Sequence, residues 1–107
     1  MENIDDRRKA FENKYAHDLE LHFKIEARAV RIFGMWVADQ MDLPEKDATV
    51  YADYMVRHNL KEPGLRDVYE QARKDLDEEV ISDHMIRTQI KGALATAEEQ
   101  FMTANDA

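Results

Sequence analysis

The residues able to carry chemistry here are four histidines, a short run of acids, the tyrosines at 51, 54 and 69 and a single serine. A helical di-metal site places His three residues after Glu, so that both ligands leave one helix face. The residues three before His17, His22, His58 and His84 are Lys14, Leu19, Met55 and Ile81, so that spacing is absent. His17 and His22 are five apart, about 140° around a helix, and do not share a face. Each histidine reads as a partly exposed polar residue rather than a ligand. The densest acid cluster is Asp75, Asp77, Glu78 and Glu79. It reads as a solvated helix face or helix end, and nothing in its spacing imposes the geometry of a Mg²⁺ site. Glycine occurs only at 34, 64 and 92, which leaves no Gly-rich phosphate loop. Ser82, the sole serine, suits a helix N-cap better than a nucleophile. Tyr51, Tyr54 and Tyr69 could stack on a base, but on bundle helices they read first as core or rim. With no cysteine there is neither a disulfide nor a thiolate metal site. The chemistry-bearing residues thus argue against an enzyme, a metal site and a bound cofactor.

The elements that position these residues are helical. The 107 residues suffice for one domain with one modest core. Hydrophobic residues make up 44% and charged residues 36%, too apolar for a disordered chain and too charged for a membrane protein. No apolar run approaches the roughly 18 residues a span requires, and the N-terminus lacks the apolar centre of a secretory signal. Period 3.6 dominates and predicts an all-α four-helix bundle. The first helix is expected from about Asp5 to Met41. From Leu19 it carries two apolar stripes, Leu19, Phe23, Val30, Phe33 and Val37, and Leu21, Ile25, Ala29, Ile32 and Trp36. Two stripes demand neighbours on two sides, so residues 19–41 are expected at the bundle centre. Asp42-Leu43-Pro44 breaks the helix. A second helix is expected from Pro44 to Asn59, with Ala48, Tyr51, Ala52, Met55 and Val56 facing the core. Leu60 to Gly64 reads as a loop. A third helix is expected from Arg66 to Glu79 and a fourth from Ser82, with Gly92 allowing a close helix contact and the tail fraying from Thr103. The methionines make the core adaptable.

Residues 1–14 hold four acids and four bases, so the net charge of -8 belongs to the rest of the chain. That excess disfavours nucleic acid and anionic lipid as partners. Before Leu19 the apolar pattern thins to one narrow line, Ile4, Phe11 and Tyr15. A segment with so little apolar surface is helix-competent but marginal alone. The reading is therefore a mobile N-terminal helical arm, residues 1–18, on a bundle of residues 19–107.

The string Ile4-Asp5-Asp6-Arg7-Arg8-Lys9-Ala10-Phe11-Glu12-Asn13-Lys14-Tyr15-Ala16-His17-Asp18 resembles the opening of the zeta subunit family, inhibitors of the F1-ATPase of α-proteobacteria. The likeness continues through Glu20, Phe23-Lys24, Ala27-Arg28, Gly34 and Trp36. It resumes at Tyr51-Ala52, Glu62-Pro63-Gly64, Asp67-Val68 and Asp75-Leu76. Ile4 and Tyr15 stand where the family usually has Phe, Lys9 stands where an acid is common, and Ala29-Val30-Arg31-Ile32 replaces a more basic run. Leu65-Arg66 replaces an acidic pair.

The resemblance implies a regulatory, cytoplasmic protein, peripheral to the inner membrane through the ATP synthase and without direct membrane insertion. Its N-terminal segment would insert at a catalytic α/β interface of F1, with γ a further contact, and block ATP hydrolysis. The partner-binding residues so implied are Ile4, Asp5, Asp6, Arg7, Arg8, Lys9, Phe11, Glu12, Lys14 and Tyr15. Phe11 and Tyr15, with Ile4, would anchor, and Arg7, Arg8, Lys9 and Lys14 would set register against acidic groups. A second reading is a small helical ligand-binding or interaction module, binding ADP or ATP weakly in a pocket near Trp36, Tyr51 or Tyr69.

Overall fold

The computed structural model describes the backbone of residues 4–60 and 64–106 and the side chains of residues 18–60 and 64–102. Among the described residues the chain forms four helices and no strand: α1 (Ile4–Gln40), α2 (Glu45–Asn59), α3 (Arg66–Asp75) and α4 (Asp83–Asp106). The all-α, four-helix reading holds. The expected arm, residues 1–18, has its backbone in α1 from Ile4, and the side chains of residues 1–17, which would anchor it, lie outside the described set.

α1 packs against α2 on one side and α4 on the other, and α3 closes the bundle against α4 and α2. The central place of α1 follows from its two apolar stripes. Ala29, Val30, Phe33, Val37 and Ala38 are buried, and Ile25, Ile32 and Trp36 are partly buried against them. Asp42, at φ 57°, terminates α1 in the left-handed region that Asp tolerates. The turn is closed by Leu43 N–H donating to the Ala38 carbonyl at 3.1 Å. Pro44, extended at φ -64° and ψ 158°, then starts α2. α2 contributes Ala48, Ala52 and Met55 to the core.

Three expectations need correction. α3 stops at Asp75 rather than Glu79. Leu76 turns extended, at φ -105° and ψ 142°, and Asp77 Oδ1 accepts the Glu79 N–H at 2.9 Å. Asp offers the backbone this local bond in place of a helical one. The break returns both Leu76 and Ile81 to the core. Ser82 then caps α4 as expected, its Oγ accepting the Met85 N–H at 3.1 Å.

The second correction concerns glycine. Gly92 faces open space, and a Cβ there would meet no atom within 4 Å. The close contact is at Gly34, where a Cβ would lie 3.0 Å from Ala52 Cα and 3.2 Å from Ala52 Cβ. The same substitution should therefore act oppositely at the two sites. Gly92→Ala should stabilise by about 0.5–1 kcal/mol through helix propensity. Gly34→Ala should destabilise by about 1–3 kcal/mol, because it forces α1 from the α2 backbone. Urea midpoints of the two variants read the signs directly. A Gly34→Ala protein more stable than the parent would show that the α1–α2 contact yields freely.

The third correction is at the N-terminal end of the bundle. Leu19 and Phe23 lie on the core stripe of α1, yet they are 52% and 57% exposed. Continuous burial on α1 begins near Ile25 and Glu26. The periodicity is that of a core line, but no neighbouring helix covers it at this level.

Candidate partner-binding face

The partner-binding residues expected from the sequence, Ile4 to Tyr15, fall among the side chains not described. Their backbone belongs to α1, so they share one helical register with the bundle. In that register the positions 4, 11, 15, 19 and 23 continue the line of Val30, Phe33 and Val37 within an arc of about 120°. One apolar line thus runs along α1. The bundle covers it from Val30 onward, whereas Leu19 and Phe23 are left open.

Beside Phe23 opens a cleft of about 410 Å³ between α1, α2 and the end of α4. Its α1 wall carries Lys24, Ala27, Arg28 and Arg31, and its α2 wall carries Asp53, Val56 and Arg57. Phe101 of α4 closes it. Four cations against one carboxylate make this a basic patch on a chain of net charge -8. Several of these groups are held in place. Arg31 pairs with Asp53. Arg28 donates to Gln100 Oε1 at 3.0 Å and lies 5.5 Å from the centre of the Phe101 ring. Lys24 pairs with Glu20 at 3.1 Å on the surface. Among the described residues Arg57 makes no ion pair. The sequence shows the row 24, 28, 31 on one face of α1. It carries no signal that α2 would bring Arg57 to that row, and this patch was not anticipated.

The other candidates resolve into structural roles. Tyr51 O–H donates to Asp75 Oδ2 at 2.6 Å, and Gln71 Nε2 donates to the same oxygen at 2.8 Å. Burial first, then the bond to Asp75 and its charge, push the Tyr51 phenol far above its ordinary range, which keeps it a neutral donor. Asp75 thus leaves the acid cluster to bind α2 to α3, and Asp77 makes the turn. Among the described residues no three His, Asp or Glu side chains converge as a metal would require. Arg73 joins α3 to α4 by donating to Asp83 at 2.7 Å and to the Leu76 carbonyl at 3.1 Å. Hydrogen bonds from Arg73 and then Tyr69 hold the Asp83 carboxyl below its usual range. Arg87 lies 5.3 Å from the Tyr69 ring centre. Trp36 stacks on Phe33, with centroids 5.8 Å apart. Trp36, Tyr51 and Tyr69 line none of the described clefts. His22 pairs with the nearly buried Glu26 at 3.1 Å, and His58 stacks on Tyr54. Among the described residues no helix is long and apolar enough to cross a membrane.

Among the described residues, Leu19 and Phe23 leave part of the apolar line of α1 uncovered on a small helical body. The family model described as ATPase inhibitor subunit zeta matches residues 1–100, and the chain belongs to that family. Among curated proteins and among solved structures, none matches it significantly. Membership in an ATPase inhibitor family supports a regulatory, inhibitory role.

Proposed function

We propose that the protein inhibits F1-ATPase by inserting residues 1–18 at a catalytic α/β interface, where the segment blocks ATP hydrolysis and the rotation it drives. The supporting observation is the division of labour along α1. Among the described residues every buried core side chain lies between Glu26 and Ala97, while the family match includes the segment before them. Residues 18–25 carry no buried side chain, so the described core begins beyond the proposed segment. Phe11 and Tyr15 supply the buried contact, Ile4 extends it, and Arg7, Arg8, Lys9 and Lys14 set register against acidic groups of α and β. Asp5, Asp6 and Glu12, with Glu2, balance the four bases of residues 1–14. The γ subunit is a further contact in this reading, and the protein is held at the inner membrane only through the ATP synthase.

Deletion of residues 1–18 is the test. The truncated chain should keep its helical circular dichroism and its cooperative melt, and should no longer inhibit ATP hydrolysis by F1. Undiminished inhibition by the folded truncated chain would place the active surface elsewhere.

A further inference from the structure

We infer that the ATPase-binding surface does not end with the N-terminal segment but continues onto the folded body, through Leu19, Phe23 and the cations of the adjoining cleft. The occupant is an acidic-rimmed apolar surface of the same ATPase. This rests on the reading that the protein binds F1 through its N-terminal segment.

Three observations carry it. Leu19 and Phe23 occupy the core stripe of α1 and remain more than half exposed, so apolar surface that favours burial stays open to a partner. They follow Phe11 and Tyr15 at four-residue steps on one continuous helix, so a partner seated on the first pair meets the second. Finally, Phe23 borders the cleft that gathers Lys24, Arg28, Arg31 and Arg57 on an otherwise acidic molecule. Cations beside an uncovered aromatic suit a partner that presents carboxylates around an apolar recess. Arg28 and Arg31 are already oriented by Gln100, Phe101 and Asp53, which lowers the ordering cost on docking.

The test uses the full chain. Leu19→Ser with Phe23→Ser should raise the concentration for half-maximal inhibition of F1 about tenfold or more, with the melting temperature unchanged and full inhibition still reached at saturation. Phe23→Leu should retain near-parental potency. Arg57→Glu should slow association and flatten its dependence on salt. Unchanged potency in the double variant would overturn the inference and leave the N-terminal reading standing, since that reading is judged by the deletion. A lowered melting temperature would overturn it too, by making these side chains part of the fold. If the same substitutions abolished ATP-induced amide shifts or self-association of the free protein while inhibition was unchanged, the face would belong to a nucleotide or a second copy, and the inference would fail.

Discussion

Phe11→Ala combined with Tyr15→Ala should raise the concentration of protein needed for half-maximal inhibition of F1 by at least about a hundredfold. Each ring contributes about 1.5–3 kcal/mol when buried, and every 1.4 kcal/mol is a factor of about ten in affinity. The pair is thus expected to account for several kcal/mol of binding, more than the surrounding charges. Arg7, Arg8, Lys9 and Lys14 should act differently. Removing one of them should change the association rate and its salt dependence more than the saturating inhibition. The double variant should melt as the parent does, because the line of Ile4, Phe11 and Tyr15 is too sparse for a core face and the described residues that follow it, 18–25, carry no buried side chain. Inhibition assays paired with a thermal melt separate loss of binding from loss of folding. Parental potency in the double variant would remove both rings from the role of anchors.

Phe33→Ala should have the largest effect on the fold itself. Phe33 is 1% exposed and is the largest fully buried side chain among the described residues. It sits on α1 between α2 and α4, so its removal opens a cavity at the centre rather than at an edge. Truncating a buried Phe to Ala costs about 3–5 kcal/mol, against a total stability of about 5–15 kcal/mol for a small domain. At roughly 4–8 °C per kcal/mol, the melting temperature should fall by more than about 10 °C. The neighbouring Trp36, stacked on Phe33 at 5.8 Å, gives a second readout, because its fluorescence should change in the folded variant. A fall of less than about 5 °C would mean that the core is centred on other residues. Loss of inhibition in this variant would track unfolding, in contrast to the Phe11 and Tyr15 pair, where the fold persists.

Much of the fold is legible because helix signals are local. The break at Asp42-Leu43-Pro44, the end of α2 at Asn59 and the cap at Ser82 each depend on a few adjacent residues, and each stands where the sequence places it. The turn at Asp77 is also local in mechanism. Yet it competes with a helical pattern that continues through Leu76, and the pattern alone favours the longer helix. The glycines differ in kind. Gly34 and Gly92 look alike along the chain, and only the approach of Ala52 separates a tightly packed site from an open one.

The candidate site divides in the same way. Ile4, Phe11 and Tyr15 are readable as a sparse apolar line among balanced charges, because helical spacing and charge need no partner to be seen. The family match spans residues 1–100 and includes that segment. The exposure of Leu19 and Phe23 is not readable, since periodicity reports which face a residue occupies and not how far the neighbouring helices reach. Nor is the basic cleft, which forms only when α2 and α4 carry Arg57 and Phe101 to the Lys24–Arg28–Arg31 row of α1. The sequence by itself therefore determined the helices and their boundaries to within a few residues, both consequences of short-range spacing. The tertiary structure decided where the core stops along α1 and which charges meet, because both depend on contacts between residues distant in the chain.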